Sequence, residues 1–210
     1  MKKIFLLLIA SVIFIGCDKD DNEEQNEEIS TDINGVVISG VRWATRNVNT
    51  PGNFAANPED AGMLFQWDRN VGWSNTDPLT SSNGDIWDNS FSVEKEWARW
   101  SNPCPQGWRV PTQTELQSLV DAGSRWVTHN GINGRFFGVA PNRIFLPVTK
   151  ARGIDGDKYV VELSDKIGSY WSSTRHDNAT AYLLIFNNIE RSKVPLHTMA
   201  ALSIRCVADE

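Results

Sequence analysis

Two cysteines 102 positions apart, Cys104 and Cys206, constrain this 210-residue chain more than any other feature. What they do depends on the compartment in which the chain folds. Residues 1–16 open with Met1-Lys2-Lys3, continue through the apolar run Ile4–Ile15 and close on Gly16, the form of a secretory signal. That run is far below the ~18–20 apolar residues a spanning helix needs. An exported chain meets an oxidising environment, where an even pair of cysteines favours a disulfide. Closing so long a loop contributes roughly 4–5 kcal/mol in the chain-entropy model, less if strained. Two buried free thiols are the alternative.

The third cysteine, Cys17, follows the signal directly. The arrangement resembles a bacterial lipoprotein signal, in which the cysteine becomes the lipidated first residue of the mature chain; a plain signal peptide beside an incidental cysteine is the alternative. Each buried CH₂ of an acyl chain adds ~0.8 kcal/mol, so a multiply acylated Cys17 is expected to hold the protein on a membrane. Residues 18–33 carry eight acids against one lysine and almost nothing apolar. Such a segment cannot offset its chain entropy by burial, so 17–33 is expected to be a disordered, self-repelling tether. Lys19-Asp20-Asp21 resembles the surface-export signal of Bacteroidetes lipoproteins, which implies an outer-membrane anchor with the domain outside the cell; a solvated spacer is the bland reading. Of the formal charge of −6, the signal contributes +2 and the tether −7, leaving −1 on residues 34–210. A nucleic-acid partner is not expected, because phosphate binding needs a clustered basic surface.

The rest of the chain reads as one α+β domain with short antiparallel strands, one well-defined helix over 112–122 and long loops. Val36–Ile38 and Val41–Ala44 are strands around a Gly40 turn, and Met63–Trp67 is another. Thr112 and Glu115 form the Thr-x-x-Glu signature of a helix start; Leu116, Leu119 and Val120 mark its buried face and Gly123 its stop. Residues 92–100 suggest a helical turn or two, and 129–143 read as Gly/Asn/Arg-rich loop. Ile144–Val148, Tyr159–Leu163 and Tyr170–Thr174 are short strands, and Leu202–Val207 closes the fold. Ala181–Phe186 is apolar on both faces, as a central strand is.

Several blocks carry a family resemblance. They are Val41-Arg42-Trp43-Ala44-Thr45-Arg46-Asn47, Ala61-Gly62-Met63-Leu64-Phe65-Gln66-Trp67 and Cys104-Pro105-Gln106-Gly107-Trp108-Arg109-Val110-Pro111-Thr112. Glu115-Leu116, Leu146-Pro147, Gly168-Ser169-Tyr170-Trp171-Ser172-Ser173-Thr174, Ala181-Tyr182 and Ser203-Ile204-Arg205-Cys206-Val207 complete the set. In this order they resemble the FISUMP family, the Fibrobacter succinogenes major paralogous domain, over nearly all of 34–210. The resemblance implies a surface or secreted bacterial protein, often a lipoprotein, with no established enzymatic activity and a C-type-lectin-like fold. The Trp-rich stretch 70–101 departs from the family pattern, so no site carries over to it.

The expected function is therefore a non-enzymatic surface lipoprotein presenting a binding domain for a glycan or an extracellular protein. The alternative is a structural or adhesin subunit of a surface assembly with no small ligand. Catalytic residues are not expected: no Gly-x-Ser-x-Gly elbow exists, and His129, His176 and His197 fall in no triad context. Nine tryptophans supply large buried areas and sugar-stacking faces. Trp43, Trp108 and Trp171 read as core. Trp73 and Trp87, in polar surroundings with Asp85, Asp88 and Asn89, are the candidate ligand-binding set: indole faces stack on sugars while carboxylates and amides bond hydroxyls. The competing reading is that these indoles cover the core. No cofactor or metal is expected, though Asp85, Asp88 and Asn89 have the composition of a calcium loop, and Asp155 and Asp157 offer further oxygens.

Overall fold

A computed structural model describes residues 30–155, 158–159 and 166–209. The signal, Cys17, most of the acidic segment, Asp157 and the greater part of the expected strand Tyr159–Leu163 lie outside the described residues. Residues 30–33, at the tether's end, are tied to the domain: Asp32 O accepts from Gly35 N at 3.0 Å and from Thr45 Oγ1 at 3.2 Å.

The chain runs β1 (Val36–Ile38), β2 (Val41–Trp43), β3 (Leu64–Gln66), β4 (Gly72–Trp73), a 3-10 turn (Arg99–Ser101), β5 (Trp108–Arg109), α1 (Gln113–Asp121), β6 (Ser124–His129), β7 (Ile132–Val139) and β8 (Asn142–Pro147). It continues through β9 (Ile154–Asp155), β10 (Lys158–Tyr159), β11 (Gly168–Arg175), β12 (Thr180–Phe186), β13 (Arg191–His197), β14 (Ala201–Leu202) and β15 (Val207–Ala208). The sheets are small and antiparallel, ordered β1-β2-β15-β5, β14-β3-β4, β6-β7-β8 and β11-β12-β13, with β9 and β10 as a separate hairpin. Together with α1, the one α-helix among the described residues, they make an α+β domain. No helix among the described residues is long and apolar enough to cross a membrane.

The helix forms where local chemistry dictates. Thr112 Oγ1 accepts from Glu115 N at 3.2 Å, and Glu115 Oε2 accepts from Thr112 N at 2.7 Å, so two backbone donors of the first turn are satisfied reciprocally. Leu116 and Leu119 are fully buried, and Gly123, at φ +85°, supplies the left-handed residue that ends the helix. β12 is the central strand of its sheet, as its two-sided apolar pattern requires.

Two stretches differ from the sequence expectation. Residues 129–143 are not a loop: β7 crosses most of them, pairing with β6 from Ile132 to Phe137 and with β8 from Gly134 to Val139. Cross-strand pairs Phe136–Phe145 and Phe137–Ile144 fill both faces there, packing that the Gly and Asn content conceals. Gly134 is part of the reason, since a Cβ at that position would lie 2.5 Å from the Phe145 ring. Residues 92–100 form no α-helical turn; their end carries the one 3-10 turn among the described residues. β13 is polar and holds Pro195, yet it makes a seven-residue ladder on β12, as an edge strand tolerates.

Cys104 and Cys206 are joined in a disulfide. It sits in a core cluster with Phe65, Trp67, Trp97, Trp171 and Ile204. A second cluster gathers Trp43, Leu116, Leu119, Phe137, Tyr170 and Phe186 under the helix. Trp108 is half-buried, edge-on to Phe54. Between the clusters runs a polar seam. Arg205 is buried and donates to Asn47 Oδ1 at 2.9 Å and Ala44 O at 3.3 Å; burial pushes its guanidinium down to about 10. Asn47 in turn donates to Asp60 O and Ala61 O, and Tyr170 OH donates to Pro147 O. The hydroxyls of Ser172 and Thr174 serve backbone groups: Ser172 donates to Tyr182 O, and Thr174 accepts from Gln113 N.

Candidate functional site

The irregular segment after β4 is clamped to the core rather than draped over it. Asp68, 1% exposed and at φ +58°, accepts from Ser92 Oγ at 2.6 Å, Ala98 N at 2.8 Å and Ser101 Oγ at 2.5 Å. Gln66 exchanges hydrogen bonds with the Asp88 backbone, and Arg175 donates to Ser92 O and Glu94 O. Trp97 N bonds Ser173 O on β11, and the Trp97 ring lies edge-on to Trp67 at 5.9 Å.

This clamping decides the fate of the aromatic candidates. Trp73 and Trp87 are 3% and 7% exposed, pack on each other at 4.9 Å, and form a small core with Leu64 and Ala201. Neither offers a face to a sugar, which corrects the expectation that they line a binding surface. Their polar neighbours in sequence point outward while the indoles turn inward onto residues remote in the chain. Asp85 is exposed and accepts from Asn83 Nδ2 at 2.8 Å. Asp88 is half-buried, with both oxygens engaged: Oδ2 accepts from Arg69 Nε at 2.8 Å and Oδ1 from Ser90 N and Oγ. Partial burial pushes the Asp88 carboxyl up, but the Ser90 and Arg69 bonds outweigh it and hold it below its ordinary range. Asn89 is exposed. Among the described residues no three His, Cys, Asp or Glu side chains converge as a metal-ligating group.

The far end of the same segment presents what its beginning does not. A cleft of about 330 Å³ lies between residues 96–99, β5, the start of α1 and β11, with Arg99, Asn102, Arg109, Thr112 and Asp209 among its walls. Arg109 is held there by a two-pronged ion pair with Glu115, at 2.6 and 2.9 Å, and by Asp209 at 3.7 Å. Partial burial pushes the Glu115 carboxyl up, and the Arg109 and Thr112 bonds overcome that and lower it. Arg99 is exposed and makes no ion pair among the described residues. Trp100, next in the chain, is 72% exposed on the 3-10 turn. Neither was singled out from the sequence, and no local signal sets Trp100 apart: Trp97 lies before the 3-10 turn with its backbone bonded to β11, while Trp100 rides on the turn itself. Comparisons with protein-family models, with curated proteins and with solved structures find no match to this chain.

Proposed function

We propose that this chain is a lipid-anchored cell-surface protein whose domain, of the FISUMP and C-type-lectin-like kind, binds an extracellular glycan without catalysing a reaction. The observation that carries the reading is Trp100: a large exposed indole next in the chain to Arg99, an exposed arginine that lines a polar cleft, offers a stacking face close in sequence to hydrogen-bonding groups. The ordered blocks from Val41 to Val207 support the family, and the Gly16-Cys17 junction supports the anchor on the outer membrane. The test is a glycan array probed with the wild type and with Trp100→Ala and Arg99→Ala. Binding that both substitutions reduce supports the reading, and a protein that binds nothing on the array overturns it. The anchor has its own test: Cys17→Ala should move the protein from the membrane pellet to the soluble fraction.

One observation favours a protein partner instead. Ile86 and Val93 in the same segment are almost fully exposed, and Phe91 is exposed beside them in sequence. An adhesin or assembly subunit would use such residues, and co-purification of a surface protein that Val93→Asp abolishes would favour it.

A further inference from the structure

A second, larger concavity of about 520 Å³ has neither Trp100 nor Arg99 in its walls. Its walls are the loop 59–61, Asn75 and Thr76, the β6–β7 hairpin tip at 131–133, and residues 148–150. Each wall is fixed from behind. Glu59 Oε1 is held by His129 Nε2 at 3.0 Å and by Asn130 Nδ2 at 2.5 Å, joining the loop to the hairpin. Asn47 holds the Asp60 and Ala61 carbonyls from the core side, and Asn75 Nδ2 donates to Gly62 O at 2.9 Å. Arg152 donates to Ser74 O and Thr76 O, both at 2.7 Å. Walls already ordered lose little freedom when a ligand enters.

The chemistry of the lining is specific. Ala61, Ile132 and Val148 supply apolar surface. Asp60 Oδ2 accepts from Asn57 N at 2.9 Å, while Oδ1 accepts from nothing among the described residues. Asn133 Oδ1 accepts from Thr128 Oγ1 at 2.7 Å, and Nδ2 donates to nothing among the described residues. Asn75 spends its Nδ2 on Gly62 and keeps Oδ1 open. The lining thus combines open acceptors and an open donor with apolar residues. Two carboxylates, Glu59 and Asp60, oppose an anionic ligand; Lys150, the one cation in the lining, is already engaged with another group.

We infer that this groove is a separate binding site for a neutral oligosaccharide, with Asp60 and Asn75 accepting from sugar hydroxyls and Asn133 donating to them. The site works independently of Trp100. The experiment uses the ¹⁵N-labelled mature chain carrying Cys17→Ala, titrated with xylohexaose, cellohexaose, maltohexaose and mannohexaose, and with hexagalacturonic acid as the anionic counterpart. At least one neutral hexasaccharide should move the side-chain amide signals of Asn75 and Asn133 saturably. Asn133→Ala should weaken that binding by about fivefold, the effect of losing one hydrogen bond, while Trp100→Ala should leave it within about twofold. The proposal fails if no neutral hexasaccharide moves these signals or if the galacturonate binds equally well. It also fails if Asn133→Ala, with its spectrum still dispersed, binds unchanged. Loss of binding in Trp100→Ala would assign the sugar to the other cleft and overturn this site, whereas retained binding there with a silent glycan array for Trp100 would overturn the reading of that cleft alone.

Discussion

Trp73 and Trp100 belong to one irregular segment and have opposite fates, which makes them a direct comparison. Trp73→Ala removes a ring packed on Trp87, Leu64 and Ala201, and should cost about 3–5 kcal/mol. Trp100→Ala removes a ring that mostly faces water and should stay within about 0.5 kcal/mol. Urea unfolding of the two variants measures the contrast. Nothing in the local sequence separates them, because both have Ser, Asn or Asp close by; the difference lies with Leu64 and Ala201, contacts that no window of sequence contains. Asp68 carries the clamp on the segment. Asp68→Asn keeps the shape and the tolerance for a left-handed backbone but loses the charge that draws in three donors. It should cost about 1–3 kcal/mol and speed hydrogen exchange at Ala98 and Ser101. Arg205→Lys should cost a similar ~1–3 kcal/mol, since one ammonium cannot reproduce the planar fork that reaches both Asn47 and Ala44.

At the level of elements, α1 was legible because its determinants are local: a Thr-x-x-Glu start, one apolar face and a glycine stop lie within a dozen residues. β7 and β13 were not, because partners recruit them. Arg135 on β7 is buried, and its guanidinium is held by Ser124 Oγ at 3.0 Å on the neighbouring strand β6 and by Asn187 O at 2.6 Å in the turn after β12. A charged residue amid glycines gives no hint of that. The helix start also sets an acid response. Glu115 is held below its ordinary value of 4.5, so its contribution to stability is complete above that pH and is lost as the pH falls through the depressed folded value. Denaturant unfolding between about pH 5 and pH 3 should therefore show Glu115→Gln losing less stability than the wild type on acidification. Near neutral pH the same variant should be the less stable by about 1 kcal/mol.

At the scale of the whole molecule, the disulfide was legible from cysteine arithmetic, and its reduction tests its weight. Removing both sulfurs in a Cys104→Ala, Cys206→Ala double variant should lower stability by about 2–5 kcal/mol in chemical denaturation. The two-cluster core and the polar seam were not legible, since they arise where distant stretches meet. Residues 198–208 are where most of them meet. Thr198 accepts from Trp67, β14 pairs with β3, Ser203 bridges to Tyr170, Arg205 reaches Asn47, Cys206 is tied to Cys104, and β15 lies between β2 and β5. A ribosome makes these eleven positions after nearly every surface they stitch. A product stopped short of residue 205 would leave β2 without β15, Cys104 without its bonded sulfur and Asn47 without Arg205, its early hairpins half-dressed.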